Sequence, residues 1–188
     1  MKKITLTILL CLPLWSQLLF AQQKEWVKLG QHDFTEGYKT LYRLSLEVPK
    51  GIHDAYDIKK GLQVMRFKLN WLPPFTNQTD IQNYFKKLLA AEFESPEDLK
   101  FNQRILNSLY NKLPEAKRHD EWVFEYSPDA GTKLYIDNIK IHSMIGSEIN
   151  NALHEAWLHK SPLITAKLMS RLLKANTATS ATTPRLHK

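Results

Sequence analysis

The 188-residue chain has one cysteine, Cys11, and it lies within the first 21 residues, so everything after it has none. Disulfides, cysteine nucleophiles and cysteine-held metals are thereby excluded from the remainder, and packing alone must hold it together. Glycine is also scarce, at six residues. None of them builds a Gly-x-Gly-x-x-Gly turn, a phosphate loop or a Gly-x-Ser-x-Gly elbow, which argues against dinucleotide binding, P-loop chemistry and the hydrolase nucleophile. His154 and His159 are five apart and do not share a helix face as metal ligands four apart would; both read as surface histidines. No metal and no cofactor is expected. Excess positive charge is present, at +7, but it is scattered over Lys59, Lys60, Lys86, Lys87, Lys117, Arg118 and Arg171. Nucleic-acid binding needs a concentrated stripe or a known module, so this reads as a solvated basic surface and no nucleic-acid partner is expected.

Lys2 and Lys3 precede an uncharged, almost wholly apolar run over residues 4–20, which ends on the small residue Ala21. Positive, apolar, then small is the pattern of a removable secretory signal. Residues 1–21 are therefore expected to be a signal peptide and the mature chain to begin near Gln22, periplasmic or secreted. Without Lys2 and Lys3 the formal charge falls to +5, and no stable membrane span is expected once the signal is removed. Residues 22–174 read as one domain. From Ala175 the chain is mainly Thr, Ala and Ser, which bury little, so 175–188 is expected to be a disordered tail.

Two periodicities alternate along the domain. Tyr42, Leu44, Leu46 and Val48 interleave with Arg43, Ser45 and Glu47, and Met65, Phe67, Leu69 and Trp71 with Arg66, Lys68 and Asn70. Both are half-buried strands, and they place Arg43 and Arg66 on the face opposite the apolar residues. Pro73 and Pro74 stop the second strand. Thr79 and Gln82 fit a capping box before a helical stripe of Ile81, Tyr84, Phe85, Leu88 and Leu89. Ser95-Pro96-Glu97-Asp98 starts another helix, with Leu99, Ile105, Leu106 and Leu109 on its apolar side. Further strands follow at Trp122, Phe124 and Tyr126, at Leu134 and Ile136, and over residues 139–144, with turns at 127–131 and Asn138. Ser147 reads as the cap of a helix carrying Ile149, Ala152, Leu153, Ala156 and Trp157 on one stripe, which must face the sheet. A last helix starts at Ser161-Pro162. One-sided strands need a cover, so the expected class is α+β, an antiparallel sheet with helices packed on one face.

Tyr42, Phe67, Trp71, Trp122, Phe124 and Trp157 all fall on inward faces. The plain reading is an aromatic core. The functional reading puts some of them on a cleft between sheet and helices, and Tyr42 and Trp71 fit it because each carries a polar tip that wants a partner when buried.

Three blocks carry a resemblance to a known family. They are Gly30-Gln31 with Tyr42 and Leu46-Glu47-Val48-Pro49-Lys50-Gly51; Leu113-Pro114, Asp120 and Tyr126-Ser127-Pro128-Asp129-Ala130-Gly131-Thr132; and Ile145-Gly146, Ala152-Leu153, Trp157-Leu158, Pro162 and Leu172-Leu173. The chain resembles the chalcone isomerase-like family in its bacterial exported branch, over roughly residues 26–174. The resemblance implies an open-faced β-sandwich, a curved antiparallel sheet with helices on one face. Plant enzymes of this superfamily cyclise chalcones, while other members bind fatty acids without catalysis. Plant-type catalysis wants an arginine shortly after the first glycine, a partnering threonine and tyrosine, and a lysine and asparagine on a helix. Here His32 stands two after Gly30, Thr40 or Tyr42 stands near the polar position of the next strand, and His159 replaces a glycine after Trp157-Leu158. Imidazole is not a fixed cation as guanidinium is. The expectation is an exported, non-catalytic protein binding a small hydrophobic or amphipathic ligand such as a fatty acid, with Thr40, Tyr42 and Trp71 as ligand-binding candidates. Two alternatives stand beside it: an isomerase or intramolecular lyase of chalcone isomerase type, and a cell-envelope protein that binds a partner without a ligand.

Overall fold

Six antiparallel strands form one curved sheet in the order β1-β2-β3-β6-β7-β8. They are β1 (Trp26–Glu36), β2 (Lys39–Pro49), β3 (Met65–Trp71), β6 (Glu121–Ser127), β7 (Gly131–Ile136) and β8 (Ile139–Met144). Two-residue strands β4 (Phe75–Thr76) and β5 (Ala116–Lys117) pair separately. The helices are α1 (Ala55–Lys59), α2 (Gln78–Ala90), α3 (Pro96–Tyr110) and α4 (Ser147–His154), the last continuing as a π-helical turn over Glu155–His159. The computed structural model describes residues 24–51 and 54–159. The expected signal peptide, the helix from Ser161 and the tail from Ala175 lie outside the described residues.

The strand period decides the two faces. Met65, Phe67, Leu69 and Trp71 are buried while Arg66, Lys68 and Asn70 are partly exposed. On the buried face the helices close over an aromatic layer. Phe85 of α2 stacks on Phe124 at 6.0 Å, and Trp157 lies 5.0 Å from both Phe67 and Phe124. The stripe Ile149, Ala152, Leu153, Ala156 and Trp157 is buried throughout. Arg43 and Arg66 both lie on the outer face. Arg43 holds Asp33 through two bonds of 2.6 and 2.8 Å. Arg66 meets Glu47 at 2.5 Å and lies over the Trp26 ring at 4.4 Å. Paired positions Lys28, Glu47, Arg66, Glu125 and Lys133 cross five strands with alternating charge, an arrangement that keeps this face compatible with water.

Three local expectations are corrected. Helix α2 is capped by Asn77, not by Thr79: Asn77 Oδ1 accepts from the Asp80 backbone N–H at 2.9 Å and its Nδ2 donates to Asp80 Oδ2 at 2.8 Å. Asparagine outranks threonine as a cap, and the earlier start puts Ile81 and Phe85 on the buried face. The N-cap of α4 is Gly146 at φ 132°, with no side-chain cap from Ser147; Asn150 Nδ2 donates to the Gly146 carbonyl at 2.6 Å instead. His154 is buried rather than on the surface, its ring 4.3 Å from that of Tyr126. Asn150 and His154 are four apart on α4 and both turn inward, so the buried stripe of this helix is wider than its apolar residues alone indicate.

Candidate functional site

The candidate site follows from an irregularity in β2. Phe34 pairs with Tyr42 and Thr35 with Thr40, leaving Leu41 without a cross-strand partner. Such a bulge lets two consecutive residues point to one side, and Leu41 and Tyr42 are both buried. Beside Leu41, β3 ends at Trp71, the two prolines follow, and Thr76 of β4 precedes the Asn77 cap of α2. A cleft of about 330 Å³ opens there, lined by Leu41, Trp71, Thr76, Ile81 and Tyr84, with Glu36, Lys39, Asp80, Asn83 and Lys87 also around it. Its volume is at the lower end of the range for small-molecule sites.

The apolar part of the cleft carries two polar atoms without partners. Trp71 Nε1 and Thr76 Oγ1 are both buried and make no hydrogen bond among the described residues. Buried polar groups are nearly always satisfied, so each such atom wants a water or a ligand. Trp122 Nε1 is in the same condition but does not line the cleft.

Beneath the cleft runs a chain of buried groups. Trp157 Nε1 donates to the Tyr42 hydroxyl at 3.3 Å, and the Tyr42 and Tyr84 hydroxyls are 2.9 Å apart. Burial pushes Tyr84 up to about 12, opposed by its bond with Tyr42 and helped by the negative charge of Glu36. Burial raises Tyr42 well above the ordinary tyrosine value, and neighbouring Tyr84 adds to the shift. Both therefore stay protonated at neutral pH. Around the cleft Lys87 Nζ donates to Glu36 Oε1 at 3.0 Å.

A family model described as chalcone isomerase-like matches residues 37–174. The chain belongs to the chalcone isomerase-like family. No curated protein matches it. Among solved structures it is similar to the crystal structure of a fatty-acid binding protein from Arabidopsis thaliana, at 12% identity and a TM-score of 0.57, over 81% of this chain and 87% of that one. At that identity the likeness shows the fold, which is the open-faced sandwich of the family.

The structure brings one of the three candidate residues to the cleft itself. Trp71 is in its wall. Tyr42 is fully buried one layer below and reaches the cleft through Tyr84. Thr40 is partly buried and does not line it; strand alternation turns Thr40 away from Lys39 and Leu41, which do. His32 of β1 pairs with Leu44, lies edge-on to Phe34 at 5.3 Å and is also outside the cleft. Sequence reasoning missed Thr76 and Tyr84. Tyr84 was legible as an amphipathic side chain on an apolar helical stripe, where a buried hydroxyl must find a partner.

A second cavity of about 810 Å³ lies among the helices, lined by Glu92, Glu94, Asp98, Glu148 and Glu155 against Lys59 and Lys60. Its walls carry more negative than positive charge, which disfavours an anionic ligand. Among the described residues no group of three or more His, Cys, Asp or Glu side chains could hold a metal, and no helix is long and apolar enough to cross a membrane.

Proposed function

We propose that this protein is a non-catalytic, exported member of the chalcone isomerase-like family that binds a small amphipathic, fatty acid-like ligand in the cleft beside Trp71. The observation that carries the reading is the cleft itself, an apolar floor of Leu41, Trp71 and Ile81 under a polar and charged rim, with Trp71 Nε1 and Thr76 Oγ1 buried beside it and without a hydrogen-bond partner among the described residues. A ligand whose apolar part lies against Leu41 and Ile81 and whose polar end meets the polar rim around them is matched by this lining. The fatty-acid binding protein of similar fold supports the ligand class. A non-catalytic role is supported by His32, which stands two after Gly30, where the resemblance to plant-type enzymes wants an arginine, and which lies outside the cleft. Tyr84, held at about 12, is a proton donor and not a base at neutral pH.

The reading is tested by displacement of a fluorescent fatty acid from the mature protein, run beside an absorbance assay for flavanone formation. Displacement at micromolar ligand without cyclisation above the spontaneous rate is expected. Cyclisation above that rate overturns the non-catalytic part; absence of displacement overturns the ligand part and leaves the partner-binding alternative. Export rests on the pattern of residues 1–21. N-terminal sequencing of protein recovered outside the cytoplasm should begin near Gln22, and a chain beginning at Met1 there refutes it.

A further inference from the structure

We propose that the end of the sheet around the mouth of the cleft is a docking surface for a phospholipid bilayer, carried by Tyr38, Phe75 and Ile139. The surface follows from the topology and not from the ligand reading above. That reading gives it a use, because amphipathic molecules collect in bilayers and the cleft opens at the same end.

Antiparallel pairing brings three connections to one end of the sheet. There β1 ends at Glu36 and β2 begins at Lys39, β3 ends at Trp71 and β6 begins at Glu121, and β7 ends at Ile136 and β8 begins at Ile139. Strands β4 and β5 continue the β3–β6 pair past that end, with the Trp71 N–H donating to the Asp120 carbonyl and the Arg118 N–H to the Pro74 carbonyl. Each connection carries one large exposed apolar side chain: Tyr38, which is fully exposed, then Phe75, then Ile139. Successive tips are two strands apart in the sheet order, so the three form a row about 19 Å long at the usual strand spacing. A row of tips along a sheet end meets a flat partner. The mouth of the cleft lies between the first two tips, its wall running from Glu36 and Lys39 to Trp71 and Thr76.

Single exposed apolar side chains are ordinary; these three each have a lysine beside them. Tyr38 precedes Lys39, Phe75 pairs with Lys117, and Ile139 precedes Lys140. All three lysines are exposed, and none makes an ion pair among the described residues. An apolar tip beside a lysine suits a bilayer interface, where the tip enters and the ammonium reaches back to phosphate. The opposite end of the sheet also exposes apolar side chains, Val27, Leu62 and Ile145. That end is acidic, however: the second cavity lies there, with Glu92, Glu94, Asp98, Glu148 and Glu155 against Lys59 and Lys60, and it repels lipid phosphate. At the cleft end Glu36 is held by Lys87, Asp80 by Asn77 and Asp120 by the Lys117 backbone N–H. With Glu115 and Asp137 they offset the lysines and Arg118, so this end is near neutral and the apolar tips must hold the bilayer.

Co-sedimentation of the mature protein with vesicles of phosphatidylcholine and phosphatidylglycerol tests this. The wild type should bind reversibly, as weakly as a single acyl anchor does, and keep most of that binding at about 0.5 M salt, where charge attraction is screened. Tyr38→Ser, Phe75→Ser and Ile139→Ser should each weaken partition about threefold to tenfold, and the triple variant at least about thirtyfold. The double variant Val27→Ser, Leu62→Ser at the opposite end should leave partition unchanged. Thermal melts should show every variant folded, since none of these side chains is buried. No sedimentation of the wild type overturns the proposal, as does binding that salt abolishes, which is loose attraction of net charge. Full binding by the triple variant, or an equal loss from variants at the two ends, overturns the placement at the cleft end. Should the triple variant fail to fold, the single variants decide, and three unchanged partitions refute it. The ligand reading fails separately: vesicle binding without displacement of a fluorescent fatty acid refutes that reading and leaves the docking surface.

Discussion

Removing the indole of Trp157 should unfasten the helical layer from the sheet. The side chain is fully buried, its ring lies 5.0 Å from Phe67 and from Phe124, and its Nε1 donates to Tyr42. A large buried aromatic cut to alanine costs about 3–5 kcal/mol, because the lost transfer energy is joined by the cavity left behind. The broken bond to Tyr42 adds about 1 kcal/mol. Trp157→Ala should therefore cost about 4–6 kcal/mol, a large share of the stability of an ordinary domain. Trp157→Phe keeps part of the ring contact and loses the N–H, so about 1.5–3 kcal/mol is expected. Urea titration followed by far-ultraviolet circular dichroism measures both without using the tryptophan as its own reporter. In thermal melts the alanine variant should fall by roughly 10–20 °C for a domain of this size. A cost below about 1.5 kcal/mol for Trp157→Ala would refute the reasoning, since no side chain wedged among three rings can be removed so cheaply. A cost for Trp157→Phe equal to that for alanine would refute the division between ring contact and hydrogen bond.

Gly131→Ala should cost about 3 kcal/mol or more by chemical denaturation: the backbone sits at φ +71°, and an added Cβ would come 2.2 Å from the Met144 carbonyl oxygen; a loss under 1 kcal/mol would contradict that geometry. Stability should fall at both ends of the pH scale. Burial and Lys112 hold His142 below its ordinary value, so its contribution is complete above about pH 6.5 and is lost as pH falls, the unfolded chain taking the proton first. Burial raises Tyr84 and Tyr110 to about 12, so their contribution is complete below about pH 10 and is lost as pH rises toward 12, the unfolded chain now giving up protons first. Denaturation midpoints across pH should show both slopes, and replacing His142 with Leu should flatten the acidic one.

The sheet was legible wherever its period was unbroken. In β3 four apolar residues alternate with three polar ones, and the burial follows them residue by residue. Strand β1 gave no such signal, because its pairing with β2 slips between Lys28 and Gly30 and again between Phe34 and Thr35, and each slip shifts the alternation. Helix α1 has five residues, too few for a helical stripe to repeat; β4 and β5 have two each and exist only because they meet. The caps of α2 and α4 were misread for one reason. Thr79 and Ser147 fit the local cap rule, but Asn77 and Gly146 take those places, each through a bond within its own helix, Asn77 with Asp80 and the Gly146 carbonyl with Asn150.

The cleft was harder to read than the core because no local pattern encodes it. Trp71 ends one strand, Thr76 lies in a two-residue strand, Tyr84 lies on a helix, and Tyr42 is beneath them on another strand. Each residue, read alone, has a sufficient structural explanation: an aromatic inward face, a residue before a helix cap, a member of an apolar stripe. What distinguishes them is whether their polar atoms are paired, a property of the assembled neighbourhood. The bulge at Leu41 makes the difference, since it turns two consecutive residues of β2 inward. A strand in perfect register would send Leu41 to the outer face with Arg43, and the cleft would lose that wall. The bulge lies two pairs from the hairpin, where Glu36 pairs with Lys39 across Gly37 at φ +60°. That turn sets the register of Thr35 against Thr40, and one residue more on β2 must then be absorbed before Phe34 meets Tyr42. The site therefore depends on the bulge beside the hairpin, expressed in residues that sequence periodicity assigns to the core.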